Sequence, residues 1–407
     1  MTRPELLILA GLHTSGVEAV IARIRALDPS VAVLHHDLRD VGSGLVHRRL
    51  RAGDADESTE LELVHGCLSC TVREDLLRVL AGPAHRVVLH LDPALEPEHV
   101  CFSLLHLADG GTIADGADLL GVVTCIDSGK WLADATGDDG LAERRMSELP
   151  DDERTVAQVA VGQAEFADLL VHTGTADAWT LARTEAVLTR LAPAAARLRL
   201  AELDERVFLT GAARPARRGR PDNVHAPLLR GHPPLARDCG VQLLLFSARR
   251  PFHPERLHEA MDVLLDGVVR TRGRVWLATR PEAVLWLESA GGGLQLGYAG
   301  EWLAGADAAA WEQAPPERTA LASLAWDPQF GDRAQDVVAI TYDADHAEIA
   351  AALNAALLTD AELAAGEEAW RAFPDPFAWW DTAAGAPACP APAELIASSA
   401  HGEKEES

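Results

Sequence analysis

Residues 5–10 (ELLILA) form a short apolar run that stops at Gly11, and the segment from Gly16 to Leu27 then carries Val17, Val20, Ile21 and Ile24 at helical spacing. A strand that breaks at a glycine turn and re-enters as an amphipathic helix buries its apolar faces only by packing the helix back onto a sheet. Further β-type runs at Val31–Leu34, Arg86–Leu91, Leu119–Ile126 and Leu169–Val171 alternate with helical patterns at Asp75–Leu80, Val100–Leu107, Val156–Phe166 and Leu181–Leu200. The alternation predicts right-handed βαβ units around a parallel sheet, so residues 1–210 read as a doubly wound α/β domain.

Residues 211–238 change to Pro, Gly and Arg (GAARPARRGRPDNVHAPLLRGHPPLARD) and read as a linker. A second domain, 239–380, is expected to hold a strand at Val241–Phe246, a helix around Arg256–Leu265 and a strand at Arg274–Ala278. Apolar runs at Ala283–Leu287, Leu294–Tyr298 and Val337–Thr341 and a helix at Ala347–Leu358 follow. The order resembles β-α-β-β-β-α in a small α+β unit. Residues 381–407 turn Ala-, Pro- and Glu-rich, the composition of a disordered tail.

Against 36 basic residues stand 62 acidic ones, and a formal charge of −26 repels phosphate backbones, which argues against broad nucleic-acid binding, DNA included. Lys130 and Lys404 are the only lysines. No apolar run approaches the roughly 20 residues of a membrane span and the N-terminus does not read as a secretory signal, so the expectation is a cytoplasmic protein without a membrane partner. Six cysteines in so long a chain make no disulfide framework. Cys101, Cys125 and Cys239 read as small core hydrophobes, and Cys389 falls in the tail.

Cys67 and Cys70 are different, because they share the segment HGCLSCTVREDLLRVL, His65–Leu80. Thr71 with Glu74 three residues on has the pattern of a capping box, which predicts a helix starting just after Cys70. Both thiols then lie at the positive end of a helix dipole beside Arg73, where a thiolate is favoured. Such a pair binds a soft or borderline metal, cycles as a dithiol, or is simply two buried cysteines. Structural zinc takes four ligands, and His35, His36 and His65 are the nearest candidates in sequence to complete a site. His90 and His172, each at a strand end, and Asp127 after the strand Val122–Ile126 are weaker candidates: strand ends commonly carry polar residues, and Asp127 also suits a cap on the next helix.

GCLSCTVREDLL resembles the metal-binding signature of the CobW family of metallochaperone GTPases, GCxCC followed by T-[VI]-R-x-D-L. Gly66, Cys67, Cys70, Thr71, Arg73, Asp75 and Leu76 match, and Ser69 replaces the middle cysteine. Arg249–Leu257 (RRPFHPERL), Gly273–Pro281, Trp286–Gly292, Phe330–Ile340 and Ala356–Leu363 are similar to stretches of the family's C-terminal domain. The resemblance implies a P-loop-type sheet followed by a CobW C-terminal domain, zinc held by Cys67 and Cys70, and descent from enzymes that use GTP and magnesium.

The family's phosphate loop, GxxGxGK[ST]T, falls on Gly11–Ala19, where only Gly11 and Gly16 match. Val17 replaces the phosphate-binding lysine and Glu18 the magnesium-binding hydroxyl, so the turn can keep its shape while losing the cation that stabilises the transferred phosphate. The family's E-[ST]-[ST]-G-x-A-D-P reads His90-Leu91-Asp92-Pro93-Ala94-Leu95-Glu96-Pro97, and its guanine-reading NKxD reads His172-Thr173-Gly174-Thr175. GTP hydrolysis is not expected, and no residue is assigned as catalytic. This combination resembles an actinobacterial branch, Mrf, which implies an adaptor that helps a ribosome hibernation factor engage the ribosome through protein contacts when zinc is scarce. Zinc delivery to a client, gated by nucleotide, is the alternative, and thiol redox chemistry a third reading.

Overall fold

The computed structural model describes residues 3–64, 68–106, 117–147, 149, 152–209, 228–229 and 231–377. The chain divides into two compact units, with the division between residues 220 and 234.

The first unit is built on an eight-stranded sheet. Its strands are β1 (Glu5–Ala10), β2 (Ala32–Asp37), β3 (Leu45–Ala52), β4 (Ala55–Glu62), β5 (Arg86–His90), β6 (Asp118–Asp127), β7 (Leu169–Thr173) and β8 (Ala196–Arg199), in the spatial order β4-β3-β2-β5-β1-β6-β7-β8. From β2 to β8 all neighbours are parallel, and β3 and β4 extend the sheet as an antiparallel hairpin. The helices are α1 (Thr14–Leu27), α2 (Leu68–Leu80), α3 (Pro97–His106), α4 (Trp131–Thr136), α5 (Val156–Glu165) and α6 (Ala178–Leu191).

Side chains along β1 alternate between two cores, which is why this strand is apolar from Leu6 to Ala10. Leu7 and Leu9 pack with Val17, Val20, Ile21 and Ile24 of α1, while Leu6 and Ile8 pack with Leu76, Val79 and Leu80 of α2 and Val100 and Leu104 of α3. The doubly wound parallel sheet expected from the sequence is therefore present.

Two local expectations need correction. The helix expected over Leu181–Leu200 ends at Leu191, and Ala196–Arg199 pairs with β7 as β8, because Pro193 supplies no amide to continue the helix. The β3–β4 hairpin was not foreseen, since ADESTELE in β4 shows no buried face.

The second unit holds a five-stranded antiparallel sheet in the order β12-β11-β10-β13-β9. The strands are β9 (Val241–Ala248), β10 (Val268–Val275), β11 (Ala283–Ala290), β12 (Gly293–Glu301) and β13 (Gln335–Tyr342). Helices α7 (Pro254–Met261) and α10 (His346–Ala356) pack Leu257, Met261, Ile349 and Leu353 against Leu244, Phe246, Leu285 and Val337 of the sheet. Between β12 and β13 lie α8 (Ala308–Gln313) and α9 (Pro316–Leu324).

The strand expected at Arg274–Ala278 runs instead over Val268–Val275. Its VVRTRGRV sequence reads as solvated, yet Arg272 and Arg274 are buried. Trp276–Ala278 continue as an isolated pairing with Phe252. The tail and Cys389, and most of the linker, lie outside the described residues. Among the described residues no helix is long and apolar enough to cross a membrane.

Candidate functional site

The turn from β1 into α1 is where a phosphate would sit, and here the chain enters its helix early. Thr14 is already helical, with His13 at the N-cap, and the amides of Gly16 and Val17 both donate to the His13 carbonyl at 3.0 and 3.2 Å. Those N–H groups are consumed inside the helix rather than offered to an anion. Val17 is fully buried in the core between α1 and the sheet, and Glu18 forms a two-pronged pair with Arg51 of β3 at 2.7 and 3.0 Å. The sequence suggested that the loop keeps its shape. The structure corrects this, because a helix starting at Thr14 leaves only Leu12 and His13 between Gly11 and the first turn.

Both surviving glycines have packing reasons of their own. A Cβ on Gly11 would stand 2.8 Å from Val17 Cγ2 and 2.9 Å from Cys125 Cβ, and one on Gly16 would meet Thr173 Oγ1 at 2.5 Å. The turn is also tied to α4: His13 Nε2 lies 2.8 Å from Asp134 Oδ2, whose other oxygen is 3.1 Å from Arg144.

Helix α2 carries the cysteine signature. It begins at Leu68, so Cys70 stands inside its first turn rather than before it, and the expected capping box at Thr71 is replaced by a different bond. Thr71 Oγ1 accepts the Val64 N–H at 2.8 Å, holding the chain that enters the motif. Cys70 is half-buried; Cys67, Gly66 and His65 lie outside the described residues.

Asp75, one turn further, is 5 % exposed and accepts from both His36 Nε2 of β2 and Arg48 Nε of β3, each at 2.9 Å. Burial alone would raise its carboxyl, but the His36 hydrogen bond and the Arg48 charge hold it below the ordinary carboxylate value. His36, a candidate zinc ligand by sequence, has its Nε2 spent on this clamp. Thiolate and imidazole are the donor types zinc prefers, yet among the described residues no three His, Cys, Asp or Glu side chains converge as a metal site.

On the other side of β2, side chains alternate toward α1. His35 and Asp37 of β2, His47 and Arg49 of β3, Ser58 and Glu60 of β4 and His90 of β5 line a cavity of about 830 Å³, together with Thr14 and Glu18 of α1. Parallel register sets His35 beside His90, and their rings stack at 4.1 Å. His35 Nδ1 lies 3.0 Å from the His90 carbonyl, which only accepts, so Nδ1 carries the proton of this hydrogen bond.

His90 is 3 % exposed, and burial, with the His35 and Arg51 charges, lowers its pKa to about 3. A base whose folded pKa is depressed gives its full stabilisation above the unfolded value near 6.5 and loses it as pH falls toward the folded one. From His90 alone we expect stability to drop by about 1.4 kcal/mol per pH unit below 6.5, or about 3 kcal/mol at pH 4.5. Urea unfolding of the wild type and His90→Asn at pH 7 and 4.5 checks this: the variant should show a clearly flatter pH dependence, and equal slopes would refute it.

The remaining sequence candidates serve the fold. Asp92 accepts the Leu38 and Ala94 amides, and burial nevertheless holds its carboxyl above the usual value. His172 is buried, with Nε2 2.8 Å from Glu185 Oε1 and Nδ1 3.3 Å from Ser128 Oγ. Its neighbour Thr173 donates to the Ile126 carbonyl. Asp127 accepts the Gly129 amide in the turn, and the N-cap of α4 is Lys130, not Asp127. Cys101 and Cys125 are core residues, and burial raises the Cys125 thiol. Cys239 is not a core residue: it is half-buried at positive φ in the turn before β9, its Sγ 3.3 Å from Asp238.

Residues 241–357 match the cobalamin synthesis protein cobW C-terminal domain. The zinc chaperone Rv0106 of Mycobacterium tuberculosis H37Rv is 44 % identical over 406 residues, spanning 93 % of this chain and 94 % of that protein. The zinc-regulated GTPase metalloprotein activator 1 of Dictyostelium discoideum is 27 % identical over 345 residues, spanning 81 % of this chain and 72 % of that protein. Among solved structures, Zn(II)-bound YjiA GTPase from E. coli covers 88 % of this chain and 100 % of its own, at 14 % identity and a TM-score of 0.35. Near-full-length identity with the mycobacterial protein and a C-terminal domain of this type place the chain in the CobW family.

Proposed function

We propose that this protein carries zinc on Cys67 and Cys70 and acts on a partner protein without hydrolysing GTP. Start of α1 at Thr14 carries the second half of that reading: it turns the lysine position, Val17, into core and spends the amides that would hold a phosphate. The names of the mycobacterial and Dictyostelium relatives support the first half. In its finer form, the protein is an adaptor that recruits a hibernation factor to the ribosome. A former G-domain without a working gate suits that role, and a charge of −26 suits a protein-mediated contact. Nucleotide-gated zinc delivery to a client is the alternative, and GTP turnover separates the two.

The test uses purified full-length protein. One zinc per chain is expected by equilibrium dialysis, lost in the Cys67→Ser, Cys70→Ser double variant, while GTP is hydrolysed no faster than by a heat-denatured control. Unchanged zinc in the double variant would move the metal site elsewhere, and magnesium-dependent turnover that follows the folded protein through purification would restore the gated reading.

A further inference from the structure

Among the described residues strand β4 is the outer edge of the eight-stranded sheet, paired with β3 alone. Its register with β3 runs uninterrupted from Leu45↔Glu62 to Ala52↔Ala55, with neither bulge nor proline. All its residues are exposed except Leu61, which is half-buried. A regular eight-residue edge leaves alternate backbone N–H and C=O groups facing outward, the template on which another strand can form. Natural edges of this length are usually blunted by a bulge, a proline or a covering element; among the described residues the device here is charge.

That charge has one sign. Asp54, Asp56, Glu57, Glu60 and Glu62 lie on the turn and strand, and no Lys or Arg occurs from Ala52 to Val72. Arg49 pairs with Asp56 at 2.6 Å and His47 Nδ1 lies 3.9 Å from Glu60, whereas Glu57 and Glu62 have no cationic partner among the described residues. A second copy adding antiparallel about Ser58 would set Asp56 against Glu60 twice, and one centred on Thr59 would set Asp56 against Glu62 twice, both repulsive arrangements. The edge therefore discriminates: it rejects itself and accepts a strand of opposite charge.

The register also says where the incoming side chains go. Arg51 stands opposite Asp56 in the strand register and its side chain reaches Glu18 of α1, so Asp56, Ser58, Glu60 and Glu62 share the α1 side of the sheet with the cavity. An added strand lies about 4.8 Å beyond β4. From there an Arg or Lys at every second position spans one strand spacing to Asp56 and Glu60, while the other positions meet Glu57, Thr59 and Leu61.

We propose that β4 is a docking edge for a basic extended segment of a partner protein, which adds to the sheet as a further strand with alternate cationic side chains over Asp56, Glu60 and Glu62. The inference uses neither zinc nor nucleotide and stands apart from the function proposed above.

The test is fluorescence anisotropy of the full-length protein with the labelled peptide (Arg-Val)4 at low salt. The peptide should bind, and (Glu-Val)4 should not. N-methylation at alternate residues keeps the charge and blocks one hydrogen-bonding edge, and we expect it to weaken binding about tenfold or more. Thr59→Pro should do the same, and Glu57→Gln, Glu60→Gln, Glu62→Gln together, on exposed side chains that the fold does not need, should also weaken it. Peptide addition should slow hydrogen exchange within residues 55–62. Equal binding of the N-methylated peptide would reduce the effect to bulk charge and overturn strand addition. A concentration-dependent dimer abolished by Thr59→Pro would make the occupant a second copy and overturn it as well.

Discussion

The double substitution Val17→Lys and Glu18→Thr, which puts back both side chains a phosphate loop needs, is expected to unfold the first unit instead of reviving GTP turnover. Val17 has no exposed surface and packs with Leu7, Leu9, Val20 and Val171. An ammonium placed there is desolvated without an anionic partner, a class of change that costs about 4 kcal/mol or more. That is a large part of the 5–15 kcal/mol typical of a folded domain. Glu18→Thr adds less than about 1 kcal/mol by releasing Arg51, since the Glu18 carboxylate is partly solvated and its pair is screened.

The single substitution Val17→Ala keeps the helix and removes only apolar volume, for about 2 kcal/mol. Circular dichroism through a urea titration, run on both variants and the wild type beside a GTP assay, separates the outcomes. A Val17→Lys, Glu18→Thr protein that kept wild-type stability and hydrolysed GTP would show that the loop can reopen and that the helical start at Thr14 is not a barrier.

Val17 also shows what the sequence made legible and what it left hidden. Its spacing with Val20, Ile21 and Ile24 already marked it as core, and its alignment marked it as the missing lysine. Both readings describe one fact, which is that the position changed from ligand-facing to core-facing. The parallel sheet was readable for the same reason: Leu6–Ala10 of β1, Val87–Leu89 of β5 and Leu169–Val171 of β7 are buried on both faces and so are apolar. β4 was not readable, because a strand whose residues are almost all exposed has no apolar period to find. β10 was hidden by the opposite effect, with arginines that look solvated lying buried on its sheet face.

At the cavity, His35 and His90 each stood out in the sequence, but 55 positions separate them. Only the parallel register of β2 with β5 stacks their rings. The start of α2 was misplaced because T-x-x-E is a local pattern, while Thr71 is held by a contact seven residues back, at Val64.

Asp75→Ala should be the most damaging change within the cysteine signature itself. The T-V-R-E-D-L pattern marks Asp75 as a family residue, and the structure gives the reason a carboxylate stands there: it joins the cysteine helix α2 to both β2 and β3 through charge. Deleting it leaves Arg48 and His36 side by side in a largely buried setting with their acceptor gone. Removing one partner of a buried pair costs about 3–5 kcal/mol, because the surviving charge stays desolvated.

Asp75→Asn keeps the shape and one acceptor oxygen but not the charge, so we expect about half that loss. The sign with pH is fixed by the lowered pKa: the Asp75 contribution is fully present above the unfolded value near 3.8 and fades as pH falls through the folded one. The variants should therefore lose stability at neutral pH and lose the corresponding part of the acid limb. Since Cys70 sits on the same helix, zinc affinity should fall with Asp75→Ala even at temperatures where the protein remains folded. Urea unfolding of wild type, Asp75→Ala and Asp75→Asn at pH 7 and pH 3, with zinc competition at pH 7, measures all of this. A loss below about 1 kcal/mol for Asp75→Ala would mean that water takes over the acceptor role and that packing alone holds α2 to the sheet.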